Sequence, residues 1–386
     1  MRIRSTATGL AGLLTAAVAL SGCGSGEEGD PSASGRVATD PIAVTFDGGI
    51  HVLDGRTLAW GATTRLDGFN RLNPAGDERH LMVSTAEGFR VYDAVDAEFT
   101  DIAFPGPKPG HVVGHAGRTV LFTDGTGDVV SFDPAGLAAG TPQTRGYRTE
   151  APHHGVAVEM ADGNLVVTVG TEQRRTGLMV LDAQRHEIAR NENCPGVHGE
   201  TTAKDDTVVV GCENGVLVYR DGVFTKIDGP TPYSRIGNQA GSPESDVVLG
   251  DYKQDEDAEL ERPQQISLID TATGTLRLVD LGTSYTFRSL GRGPQGEALV
   301  LGTDGRLHIL DPVTGTVMRA VEVVEPWQEP LRWQQARPAL FVRGGDAYVT
   351  DPATSTVHRI DLAAGEVRAS VTLPDPPNEI SGVGAD

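Results

Sequence analysis

A short strand that closes on an acidic residue recurs along nearly the whole chain. It is found as HVLDG at Asp54, RVYDA at Asp93, VSFDP at Asp133, MVLDA at Asp182, SLIDT at Asp270, HILDP at Asp311 and HRIDL at Asp361. In LVYRD, Arg220 stands in the matching place. The eight markers lie 38 to 50 residues apart, which matches the length of one four-stranded radial sheet, about 40–50 residues. Each marker follows a Gly- or Asp-bearing turn and a β-branched run, as in HLMVSTAEGFRVYDA and ALVLGTDGRLHILD, which is hairpin chemistry. After the N-terminal apolar stretch no sustained 3.6-residue apolar period competes, so an alternating α/β reading fails. The expected fold class is all-β: a β-propeller of eight blades, or seven if one repeat is degenerate. The first repeat, IAVTFDGGIHVLDGRTLAW, supplies three strands of a blade, and the terminal PNEISGVGAD supplies another. The ring is therefore expected to close by a C-terminal innermost strand added to the N-terminal blade.

Residues 1–22 read as a lipoprotein signal peptide. Arg2 and Arg4 precede GLAGLLTAAVAL, an apolar stretch too short to span a bilayer comfortably. It runs into LSGC, residues 20–23, where a Leu three positions before a Cys, with small residues between, resembles the bacterial lipobox. On that reading Cys23 becomes the lipidated N-terminus, and the protein is extracytoplasmic, anchored to the outer face of the cell membrane. A plain secretory signal with an incidental cysteine is the alternative. Residues 23–41 are rich in Gly, Ser and acid and read as a flexible tether, leaving residues 42–386 for the propeller. The net charge of −21 argues against nucleic acid or an anionic lipid surface and suits a cation or a basic partner protein. A monomer is expected, touching the membrane through its lipid anchor only.

Innermost strands of a propeller line a central channel, so residues just before or early in them converge from different blades. Counting back from the strand that follows, His111 lies eight before Thr119, His154 ten before Asn164 and His198 nine before Thr207. Three consecutive blades thus place a histidine at one rim position. Other blades hold Asn70, Arg235 or Ile236, and Arg288 there, so the histidines occupy one arc. Zinc takes three or four N, O or S ligands at about 2.0–2.3 Å, and neutral imidazole is favoured among them. His153, beside His154, is a further candidate ligand, although strand alternation turns neighbours apart. Glu200, Asp251 or a water could complete the shell, and His115 is a possible supporting or alternate ligand. Cu2+ competes with Zn2+ for an imidazole set. The bland alternative is that these rings only hydrate the channel mouth. His51, His80, His186, His308 and His358 fall in other strands or loops and are expected to be structural.

With Cys23 set aside, Cys194 and Cys212 remain, flanking a hairpin that turns near Asp205–Asp206. In an oxidising compartment they are expected to pair. The bridge would close a loop of roughly 18 residues, worth about 3 kcal/mol in the chain-entropy model, and pin the strand entry that presents His198. Thiolate ligation of a metal together with His198 is the competing reading.

Enzyme signatures are absent from the sequence: there is no GxSxG, HExxH or P-loop, and the GxG runs lie in β-turns with no following helix. The segments APHHGVAV (151–158), CPGVHGE (194–200), GCENGVLVY (211–219) and RIGNQAGSPESDVVLGDY (235–252) resemble the secreted zinc metallochaperones of the AztD type. That resemblance implies a β-propeller that binds Zn2+ and passes it to the solute-binding protein of a zinc ABC transporter, without catalysis. It carries a ligand role onto His154 and His198, and less directly onto His111 and His153. Members of the family often bear a His- and Asp-rich N-terminal segment, whereas residues 24–40 here contain no histidine, which puts a second zinc site there in doubt. Two rival functions are a metal-dependent propeller enzyme of lactonase or lyase type and a metal-free interaction platform. Neutral imidazole is required for ligation, so metal affinity is expected to fall as pH drops toward about 6.5.

Overall fold

The computed structural model describes residues 37–384. The signal segment, Cys23 and most of the tether lie outside the described residues.

Eight antiparallel sheets follow one another in chain order, each of four strands, with one short extra parallel strand on the fifth. Their innermost strands, from blade 1 to blade 8, are Ile380–Gly382, Arg71–Pro74, Pro109–His115, Ala157–Glu159, His198–Ala203, Gln239–Ala240, Leu290–Arg292 and Leu340–Arg343. Every repeat is a blade, so the seven-bladed alternative is excluded. The ring closes as expected: Ile380, Ser381 and Gly382 pair with Val44, Ala43 and Ile42 of the first strand. Backbone bonds from Thr45 N to Glu379 O (2.9 Å) and from Asn378 N to Thr45 O (2.7 Å) extend that closure. The domain begins slightly before residue 42. Val37 N donates to Val95 O and Ala38 is buried against blades 1 and 2, so residues 37–41 belong to the propeller and not to the tether.

The recurrent acid has a local cause. It ends the third strand of its blade, and its carboxylate accepts backbone N–H groups two to four residues on, capping the turn into the outer strand. Asp54 caps Arg56 and Thr57, Asp93 caps Val95 and Asp96, Asp270 caps Ala272 and Thr273, and Asp311 caps Val313 and Thr314. Blade 5 does without the cap because Asp221 and Gly222, at φ 51° and 80°, make a tight two-residue turn between its third and fourth strands.

Burial is between blades. Each adjacent pair shares one apolar cluster, such as Val166, Val180, Val208, Val210 and Leu217 between blades 4 and 5. Stability is therefore a sum of neighbour interfaces around the ring. Outer strands alternate toward solvent, as in Trp60–Leu66.

Because neighbouring strands are antiparallel, the segment entering each innermost strand and the turn joining the second strand to the third lie on one face of the ring. That shared face carries the candidate site.

Candidate metal centre

His111 lies early in the innermost strand of blade 3, His154 in the segment entering blade 4, and His198 at the first position of the innermost strand of blade 5. Their ring centroids stand 5.2, 5.9 and 5.0 Å apart. One nitrogen from each ring lies within 4.8 Å of the others. Zinc–nitrogen bonds of about 2.0–2.1 Å in tetrahedral geometry set ligand nitrogens about 3.3 Å apart, so closure needs inward shifts of under about 1 Å.

The outer nitrogens decide which atoms converge. Nδ1 of His154 donates to Asp124 Oδ2 at 2.5 Å, Nδ1 of His198 donates to Gly237 O at 2.7 Å, and Nδ1 of His111 lies 3.1 and 2.9 Å from the two oxygens of Glu200. A carboxylate or carbonyl can only accept, so Nδ1 holds the proton and Nε2 keeps its lone pair for a metal. Three neutral imidazoles backed by two carboxylates match a dication in both ligand type and charge.

Backbone irregularities aim these rings. Strand pairing slips between Pro109 and Val112 and again between His198 and Glu200, and such bulges rotate a side chain out of the regular pleat. Gly199 makes the second slip at φ 71°, and a Cβ there would lie 2.4 Å from the Gly237 carbonyl that holds His198. A Cβ on Gly110 would lie 2.2 Å from Asp124 Oδ1, so the carboxylate behind His154 needs that glycine. Asp251 is not turned toward the metal position. Its carboxylate accepts Gly237 N, Asn238 N and Asn238 Nδ2, which fixes the loop carrying the Gly237 carbonyl. Glu200 likewise sits behind His111.

Protonation differs across the set. Burial holds His198 well below the ordinary imidazole value, and the charges of His111 and His154 push it further against the Gly237 carbonyl. Burial also opposes charge on His111, but the Glu200 carboxylate outweighs it and the pKa is raised. His198 therefore stays neutral most readily, whereas the Glu200 carboxylate favours the charged form of His111.

His153 does not join the set. It is buried with Nδ1 on Ala151 O at 2.8 Å and Nε2 on Thr168 Oγ1 at 3.0 Å, so neither nitrogen is left for a metal. These two bonds hold it inward, in the loop before the strand, where Phe122 meets its ring edge-on at 5.3 Å. His115 is also excluded: it lies at the far end of its strand and pairs with Asp206 in the turn on the opposite face. His51, His80, His186, His308 and His358 each meet a local side-chain partner: Thr63, Asp77, Asp182, Asp304 and Ser370. Of the other rim positions, Asn70 caps its own loop through Asp67 O and Gly68 O, and Arg288 pairs with Glu379 at 2.7 Å.

Cys194 and Cys212 form a disulfide with Cα atoms 4.9 Å apart, inside the cluster between blades 4 and 5. Asp205 and Asp206 make the intervening turn at φ 58° and 56°. The bridge ties the segment entering blade 5 to its second strand, where Gly211 pairs with His198 and Cys212 O accepts Ile236 N. Both sulfurs are committed, so thiolate ligation with His198 is excluded.

Sequence reasoning missed Asp124 and Gly237. Asp124 lies in FTDGTGD, which reads as an ordinary turn, and only the shared face of the ring brings it to His154. Gly237 acts through its carbonyl, which no side-chain motif announces.

No family model matches the chain. In sequence it is similar to the zinc chaperone AztD of Citrobacter koseri, 27% identical over 323 residues that cover 78% of this chain and 74% of that protein. In structure it is similar to apo AztD from the same organism, with a TM-score of 0.77, 23% identity, and coverage of 89% of this chain and 96% of that one. A second Citrobacter koseri AztD crystal structure gives a TM-score of 0.76 at 22% identity over 90% and 98%. The dihydro-heme d1 dehydrogenase NirN shares the fold more loosely, with a TM-score of 0.60 at 13% identity over 92% and 77%. The chain is thus similar to AztD in sequence and in fold, and its own fold is an eight-bladed β-propeller.

Proposed function

We propose that this protein is an extracytoplasmic zinc metallochaperone, lipid-anchored through Cys23, that holds Zn2+ at the channel mouth and passes it to the solute-binding protein of a zinc ABC transporter. The observation that carries the reading is the convergence of His111, His154 and His198, each held by an acceptor behind Nδ1 and free at Nε2. Such a set binds a dication while leaving a coordination position for water or for an incoming ligand of the acceptor. Exposure favours release as well: the His154 side chain is 40% exposed at the mouth, where a second protein can reach the ion. The similarity to a protein named as a zinc chaperone supports the choice of zinc and of transfer. The disulfide suits an oxidising compartment. A groove of about 470 Å³ runs between outer strands of blades 2 and 3, lined by Phe89, Phe104 and Tyr147 and by none of the three histidines, so it offers no substrate space at the metal position.

Zinc titration by chelator competition tests the reading. The wild type is expected to bind one equivalent that the His154→Ala/His198→Ala double variant no longer holds. Unchanged affinity in that variant would refute it.

A further inference from the structure

Two connections on the metal-bearing face are longer than any other among the described residues: 251–264 within blade 6 and 323–339 between blades 7 and 8. They pack on each other, with Arg262 Nη2 donating to Glu329 O at 2.9 Å. The second projects Leu331 and Trp333, which are 64% and 49% exposed, while the first carries Asp255, Glu256, Asp257 and Glu259 into solvent.

This platform is rigidly seated. Arg337 is buried and pairs with Glu329 at 2.6 Å, Trp333 meets Phe69 edge-on at 5.0 Å, and Asn378 Nδ2 donates to Gln334 O at 3.0 Å. It is also joined to the metal arc. Arg288 Nη2 donates to Trp333 O, its guanidinium pairs with Glu379, and Glu379 lies 3.6 Å from Arg71, in the blade next to that of His111. Fixed, solvent-facing Trp and Leu beside a charged edge have the make-up of a protein-binding hot spot with a polar rim.

We propose that Leu331, Trp333 and the acidic edge 255–259 form the docking surface for the metal-accepting protein. This rests on the zinc-holding reading of the histidine site. An acceptor must approach this face, because all three ligand rings stand at or near the entries to their innermost strands here and the His154 side chain is 40% exposed. Charge specifies its chemistry: an apolar cleft to take Trp333, rimmed by Lys and Arg to face the four carboxylates. Such pairing speeds encounter and is weakened by salt.

The test uses the full zinc-loaded chain and, as probe, the purified zinc-free solute-binding protein of the source organism's zinc ABC transporter, with a small-molecule chelator as a second acceptor. In Leu331→Ser/Trp333→Ala, transfer to the protein is expected to slow at least tenfold, while transfer to the chelator stays at the wild-type rate. Asp255→Lys/Glu256→Lys/Asp257→Lys alters no buried group and should slow association and flatten its salt dependence. Transfer at the wild-type rate in both variants overturns the proposal, as does a finding that the patch serves only to pair two copies of this chain. If the wild type holds no zinc, the reading of the centre fails, and direct binding of the two metal-free proteins still decides the surface. A tenfold loss of affinity in the variants supports it, and equal affinity or no binding to the wild type overturns it.

Discussion

What separates three histidines at a channel mouth from a metal centre is the acceptor behind each ring. Asp124, Glu200 and the Gly237 carbonyl fix tautomer and orientation together, so the three lone pairs face one point. Removing such an acceptor leaves the ligand present but free to rotate and to exchange its proton. Asp124→Ala and Glu200→Ala are each expected to weaken zinc binding 10–100-fold, the usual range for an outer partner of a ligating histidine. Competition with a chromophoric chelator measures this, and wild-type affinity in both variants would show that the acceptors are incidental. The histidines themselves were legible from their offsets to the following strand. Their acceptors were not, because Asp124 and Gly237 are joined to their partners by ring geometry and not by chain proximity.

At the scale of elements, the entry to blade 5 is the most constrained part of the site. The disulfide holds its first residues to the second strand, the bulge at Gly199 turns His198, and Asp251 fixes the loop that meets His198 from blade 6. Cys194→Ala/Cys212→Ala should lose about 3 kcal/mol of stability from the released loop of roughly 18 residues and weaken zinc binding in parallel. Chemical denaturation with and without zinc reads both effects. Full stability and full affinity in that variant would mean that the clasp serves neither. The pairing was legible from cysteine count and compartment. The bulge was not, since a glycine after a histidine reads the same whether it bends a strand or merely flanks a turn.

At the scale of the molecule, the strand-ending acid made the fold legible, because the turn that it caps recurs once in nearly every blade. Closure was legible from the orphan strand at the C-terminus. The long connections 251–264 and 323–339 were not, since loop sequences carry no period and their placement follows only from the ring. The whole domain should also respond to acid through its histidines. Burial lowers the pKa of His51, His153, His198 and His358, with nearby acceptors or carboxylates opposing it, whereas Glu200 raises that of His111. A lowered group takes its proton later in the folded than in the unfolded chain, so the stability tied to it is intact above about 6.5 and is lost progressively as pH falls from there through the lowered folded value. The raised group acts in the opposite sense, but four outnumber one. The melting temperature of the metal-free protein is expected to fall between pH 7 and 5, and a flat or rising profile there would contradict this balance.

X-ray absorption at the zinc edge on the singly loaded wild type tests the centre most directly. The account predicts a first shell dominated by nitrogen at about 2.0–2.1 Å with the outer-shell pattern of three imidazoles. A sulfur shell near 2.3 Å, or oxygen ligands without imidazole scattering, would contradict it.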